Sequence, residues 1–216
     1  MGTAANESPD VVVDEVTPVE QMDLVGGDVC LDFVNTGSHR ATPPFKEKLR
    51  AYRDLVSWVV RVNELDAETG DRLRVLAERD PAAAEAVLAR GRELREAIYR
   101  AFTSLQGGAS PSASDLATIA SENARATVHR RLVPTDDGCV WQYGDEDALE
   151  RPLWPVALAA SALLTSTDVA RVKECASDNC NWLFLDVSKN RSRRWCDMKD
   201  CGNRAKARRH RARASS

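Results

Sequence analysis

Cys175-Ala176-Ser177-Asp178-Asn179-Cys180 and, 15 residues later, Cys196-Asp197-Met198-Lys199-Asp200-Cys201 decide how the C-terminal part of this chain folds. Each pair of cysteines is separated by four residues. Two close thiol pairs joined by a short segment match the way structural zinc sites collect four tetrahedral ligands. Each pair forms a knuckle, and the intervening segment brings the knuckles together. Two disulfides are the alternative use of the same four residues. The choice turns on the redox compartment. The N-terminus, MGTAANESPD, is polar and has no apolar signal region. Asn6 stands where an N-myristoylation signal needs Ser or Thr. The longest uncharged stretch, Pro152 to Thr167, is shorter than the roughly 20 apolar residues of a membrane span. A reducing cytoplasm with no membrane contact is expected. There Cys175, Cys180, Cys196 and Cys201 would bind one structural Zn(2+) per chain.

Between the knuckles, Asn181 to Asp186 and Arg191 to Trp195 flank Ser188-Lys189-Asn190 and predict a β-hairpin. After Cys201 come Gly202-Asn203 and a run of helix formers, Arg204 to Arg213. Knuckle, hairpin, knuckle, helix is a treble-clef-like layout. So short a segment cannot bury a core unaided, so metal binding would supply its folding energy. Loss of one thiolate is then expected to unfold this tail and leave the rest folded. Backbone amides of Gly202 and Asn203 are candidate donors to the sulfurs. Cys30 and Cys139 stand apart and read as small buried hydrophobes on β-type segments.

Working toward the N-terminus, Pro152 to Thr167 predicts a buried helix over about 151–166. Arg131-Leu132-Val133 and Cys139 to Tyr143 predict a hairpin around an Asp-Gly turn. Ser112 and Asp115 fit a capping box opening a short helix that bears Leu116 and Ile119. Asp80-Pro81 predicts a cap and first turn for a helix carrying Val87, Leu88, Leu94, Ile98, Phe102 and Leu105, ending at Gly107-Gly108. A helix is expected over about 66–79, with Leu73 and Leu76 inward. Another is expected through Phe45, Leu49, Tyr52, Leu55, Val56, Val59 and Val62. Val29, Leu31 and Phe33 alternate after Gly26-Gly27, which predicts a strand. Residues 1–21 are acidic and proline-containing, and are expected to be disordered. The expected class is therefore α+β: a mostly helical domain over residues 22–170 with a small β-sheet, then a finger over 171–216.

Charge divides along the same line. Residues 171–216 carry 13 Lys and Arg against 5 Asp and Glu, although the whole chain carries 30 against 33. A basic tail on an acidic body predicts a polyanionic partner, a solvated terminal helix being the plainer reading. The candidate nucleic-acid contacts are Arg191, Arg193, Arg194, Arg204, Lys206, Arg208, Arg209, Arg211 and Arg213. On a helix, positions 204, 208 and 211 share one face and 206, 209 and 213 a neighbouring one. Like charges this close cost stability until an anion neutralises them. DNA is the expected anion, with RNA or a protein partner as the alternative and a homodimer as a further expectation.

No phosphate-binding glycine loop, metalloprotease helix or Ser/His/Asp pattern occurs, so an enzyme is not expected. Asn35, Thr36, His39 and Arg40, with Trp58 as an aromatic wall, are candidate contacts for a small-molecule ligand. Capping by Asn35 and Thr36 and a core position for Trp58 are the plainer readings of those residues.

The segment Trp195-Cys196-x4-Cys201-Gly202-Asn203-Arg204-x-Lys206, with Trp182-x-Phe184-x-Asp186-x-Ser188-x-Asn190-x-x-Arg193 before it, resembles the CGNR zinc finger family. Gly26-Gly27-Asp28 through Asp32-Phe33-Val34-Asn35-Thr36, followed by Leu55-x-x-Trp58, resembles the ABATE domain that precedes that finger. The resemblance spans about residues 22–213. It implies a stress-induced transcription regulator whose N-terminal domain binds a ligand.

Overall fold

The computed structural model describes residues 16–144 and 147–214, without the side chains of residues 209 and 212–214. It is α+β, as expected, with helices dominating and strands confined to three separate antiparallel pairs. The longest helix, α4 (Pro81–Gln106), spans 26 residues, about 39 Å at the usual rise. The Asp80 side chain caps it by accepting from the Ala83 amide, Pro81 opens it, and Gly107 ends it. Val87, Leu88, Leu94, Ile98 and Phe102 face the core, while Leu105 is exposed.

Against α4 pack α1 (Val29–Val34), α2 (Tyr52–Arg61), α3 (Ala67–Arg79), α5 (Ala113–Thr127) and α6 (Trp154–Thr165). Ser112 caps α5 by accepting from the Asp115 amide and donating to its carboxylate. That helix is longer than the short one expected, at 15 residues, and Leu116 lies on its exposed side. α2 begins only at Tyr52. Phe45 lies outside it, half-exposed, beside β2 (Lys46–Glu47), which pairs with β1 (Gly37–Ser38). The hairpin of β3 (Arg130–Thr135) and β4 (Gly138–Tyr143) closes on a two-residue turn, Asp136-Asp137. On it Cys139 is exposed, contrary to expectation, whereas Cys30 is fully buried.

The stretch expected to be a strand is the helix α1. The Asp28 carboxylate accepts from the Cys30 amide at 2.9 Å and sets the first turn. Cys30, Leu31, Asp32, Phe33 and Val34 are buried and Val29 is half-buried, so the helix has no exposed face. A six-residue helix buried all round carries no 3.6-residue period, and chance alternation then reads as a strand. Within the tail expected to be disordered, Val19–Gln21 form a helical turn, and Val19 and Met22 enter the core. The first 15 residues of that call lie outside the described residues.

Asp32 is the carboxylate of this core. It accepts from the Gly26 amide at 2.8 Å, and a Cβ at Gly26 would lie 2.7 Å from the Asp32 nitrogen. Burial, foremost, raises its carboxyl from the ordinary 3.8 to about 6, against the lowering by the Gly26 and Val25 amides. The folded chain therefore holds this proton more tightly than the unfolded chain. The contribution to stability is full below about pH 4 and is lost as pH rises through about 6. Asp32→Asn should flatten that limb, worth at most about 3 kcal/mol. Urea unfolding at about pH 4 and about pH 7 measures it, and equal pH dependence in both proteins would remove Asp32 as the source.

Candidate metal centre

The C-terminal unit opens with β5 (Val172–Glu174), which pairs antiparallel with β6 (Leu183–Leu185). The first knuckle, Cys175 to Cys180, is thus the loop between two paired strands. The Cys175 amide donates to the Trp182 carbonyl at 2.8 Å and pins its base. This corrects the expected pairing. β6 pairs with the strand before the knuckle, not with Arg191 to Trp195, which form no strand. Arg194 instead offers its carbonyl to the Ala176 amide. A wide helical turn, Met198–Gly202, carries the second knuckle into α7 (Asn203–Ala214).

All four sulfurs converge. Every pair lies within 4.8 Å, and all four cysteines are buried. The Sγ atoms of Cys180 and Cys196 are 3.6 Å apart, and those of Cys196 and Cys201 are 3.7 Å apart. A disulfide needs about 2.05 Å. A tetrahedron with zinc–sulfur bonds of about 2.3 Å has edges of about 3.8 Å. The spacing therefore fits Zn(2+) coordination by four thiolates and excludes the disulfide alternative. The thiols share protons at this distance. Hydrogen bonding from Cys180 and Cys196 lowers the Cys175 thiol below its ordinary value. Hydrogen bonding from Cys175, Cys180 and Cys196 holds Cys201 far below its ordinary value.

Charge compensation comes from a side chain. Arg204 donates to the Cys201 sulfur at 3.0 Å and pairs with Asp200 at 3.0 Å. The Gly202 amide, expected to serve a sulfur, donates to the Asp197 carbonyl. Beneath the cluster lies Phe184, fully buried, with the Arg193 guanidinium 4.4 Å above its ring.

Asp186 holds the loop between the knuckles. Its carboxylate accepts from Lys173 at 2.7 Å, from the Ser188 amide and hydroxyl, and from the Arg193 amide at 3.0 Å. Burial raises its carboxyl, but the Lys173 ammonium and then Ser188 outweigh that and hold it far below the carboxylate range. Phe184, Asp186, Ser188 and Arg193, members of one motif, thus share one task, shaping the loop that delivers Cys196.

Residues 171–214 match the CGNR zinc finger family model, and residues 27–167 match the ABATE family model, described as "Putative stress-induced transcription regulator". The chain belongs to the ABATE family. No curated protein matches the chain in sequence.

In this ABATE-family chain the candidate ligand residues are mostly committed to the fold. Asn35 is fully buried, donates to the Leu183 carbonyl at 2.9 Å and accepts from the Leu183 amide at 2.8 Å. It ties the body to β6. Thr36 donates to the Phe33 carbonyl. Arg40 binds Glu96 and the carbonyls of Gly37 and Val34. Trp58 is fully buried, edge-on to Phe33 at 5.0 Å, and so belongs to the core. Of the five, His39 and Arg40 line open cavities, and these are separate ones.

The basic residues also divide. Arg193 is spent on the Trp195 and Cys196 carbonyls and Arg204 on the metal centre, while Arg208 pairs with Asp178 at 3.5 Å. Arg191, Arg194, Lys206 and Arg211 are exposed. The side chains of Arg209 and Arg213 lie outside what is described. The body–finger contact made by Asn35 was missed from sequence. Its only signal was an amide at the end of an apolar run.

Proposed function

We propose that this protein is a transcription regulator in which one structural zinc ion per chain mounts α7 for DNA binding, and the body senses a ligand. Residues 22–170 form the sensing part and 171–216 the binding part. The observation that carries the reading is the direction of α7. It leaves the metal centre directly after Cys201, with Lys206 and Arg211 exposed and Arg204 turned back to the sulfur. The inner arginine compensates a thiolate of the metal site, and the exposed Lys206 lies farther out along the helix. Phosphate contacts suit such a helix because they need charge more than exact placement. Neither matched family is an enzyme family. No helix among the described residues is long and apolar enough to cross a membrane.

Fluorescence anisotropy with duplex DNA across a salt series tests the reading. With about five phosphates contacted, log K should fall with log salt at a slope of about −4 to −5. Lys206→Ala should make that slope shallower by about 0.9 without loss of zinc, whereas Arg193→Ala should disturb the fold instead. A slope unchanged in Lys206→Ala removes the outer face of α7 from the interface. Tighter binding to single-stranded RNA than to duplex DNA would replace the DNA reading.

A further inference from the structure

The β3–β4 hairpin stands clear of the body. Of its strand residues only Arg130, Val133 and Tyr143 are half-buried, and the rest are exposed. Its attachment is at the base. There Tyr143 and His129, the residue before β3, lie against Trp154, with ring centroids 5.3 and 4.2 Å away. A two-stranded ribbon with both faces in water is marginally stable at best, and packing one face against another surface is what such ribbons require.

The register decides which face is offered. Leu132 and Trp141 are directly opposite each other, and side chains alternate across the ribbon. They therefore share a face with Arg130, Pro134, Cys139 and Tyr143. Leu132 is 56% exposed and Trp141 57%. The Arg130 guanidinium lies 4.7 Å from the centre of the Trp141 ring. A bare tryptophan beside a bare leucine makes the apolar centre of a contact surface. Pro134 has no amide to donate from β3, which favours packing by the face over addition of a strand at that edge.

Charge identifies the occupant. Arg130 and Arg131 stand at the base of the ribbon. Asp136 and Asp137 form its turn, about 17 Å away at the usual strand rise. No ion pair among the described residues includes any of the four. The ribbon is thus positive at one end and negative at the other. A two-fold contact between identical faces turned end for end sets the arginines of each copy against the aspartates of the other. Nucleic acid fits this face less well, because the aspartates at the tip repel phosphates.

We propose that the Leu132–Trp141 face of the hairpin packs against the same face of a second copy of this chain, turned end for end. About six residues a side is far below the roughly 20–30 of a standard interface, so association is weak, with a dissociation constant of about 10–100 µM.

Sedimentation equilibrium of the full chain with its zinc, without DNA, from about 1 to about 500 µM tests it. A monomer–dimer equilibrium is expected. Trp141→Ser, at an exposed position where folding is not at issue, should raise the dissociation constant about tenfold or more. The charges provide a stricter test. Arg130→Glu with Arg131→Glu makes the ribbon negative at both ends, and Asp136→Lys with Asp137→Lys makes it positive at both ends. Each double variant should be monomeric alone, and an equimolar mixture of the two should form a heterodimer. Cys139 is the exposed one of the six cysteines and reports on the face directly. Its labelling by a maleimide should slow about threefold or more across the same concentration series. A monomer throughout, a dimer unmoved by Trp141→Ser, or double variants that fail to associate when mixed would overturn the proposal. Protection of Cys139 by duplex DNA at about 1 µM chain would also overturn it, and would make the face a nucleic-acid contact.

Discussion

Cys196→Ser is expected to abolish zinc binding and to lower the thermal midpoint of the whole chain, not of its C-terminal end alone. Cys196 lies within 3.6 Å of one partner sulfur and 3.7 Å of another, so its loss opens the tetrahedron at its centre. Structural zinc sites contribute about 10–16 kcal/mol in isolated fingers, and losing one of four thiolates forfeits a large share. From sequence, the body should survive this change intact. The structure alters that expectation because the finger is not a separate module. Val172 and Leu183, on the strands flanking the first knuckle, belong to the same buried cluster as Leu31, Phe33 and Val34 of the body. Leu185 donates its amide to the Gly26 carbonyl at 2.7 Å, and Glu174 accepts from Tyr99 of α4 at 2.9 Å. Unfolding around the empty site therefore exposes core surface. Metal analysis with differential scanning calorimetry checks both halves. Zinc remaining at one per chain would refute the ligand assignment, and zinc loss with an unchanged midpoint would refute the coupling.

Asn35→Ala should destabilise the protein by about 2–5 kcal/mol without touching a metal ligand. The side chain satisfies both the amide and the carbonyl of Leu183, and all three groups are buried. Removing it leaves two backbone groups unpaired, each costing about 1–3 kcal/mol, together with a small void. For a chain of this size the midpoint should fall by roughly 5–15 °C. Asn35→Asp keeps an acceptor for the Leu183 amide but loses the donor and buries a charge, so it should not rescue the loss. A shift under about 2 °C in Asn35→Ala would mean that the finger is held by its apolar contacts alone.

What could be read from sequence depended on whether a local rule had a competitor. Asp80-Pro81 and Ser112 were legible because a cap is a contact between neighbours in the chain. The four cysteines were legible because zinc chemistry dictates both residue type and spacing. Val29–Val34 misled because burial on every side erased its period, and the capping carboxylate of Asp28 was the stronger signal. The strand partner of Leu183–Leu185 misled because a nearer hairpin was available to a local argument. The observed partner, Val172–Glu174, is fixed by contacts to the body that no local pattern records. The candidate ligand residues illustrate the same limit. Asn35 and Arg40 are polar residues near the end of an apolar run, but their partners are 148 and 56 residues away. By contrast the cavity beside α7 that His39 lines draws on Asp23, Lys48 and Arg208, which no spacing rule would group.

The helix that leaves the metal centre is a lever. Its 12 residues extend about 18 Å from a base held by Cys201 and Arg204. A tilt of about 10° at that base moves the far end by about 3 Å, as much as a whole hydrogen-bond length. Only the first turn can therefore be placed finely enough for contacts that depend on angle. Farther out, placement grows coarse, and attraction that decays slowly with distance is the kind that survives it. The distal positions of this rod hold arginine and histidine almost without interruption, which is the composition such a lever tolerates.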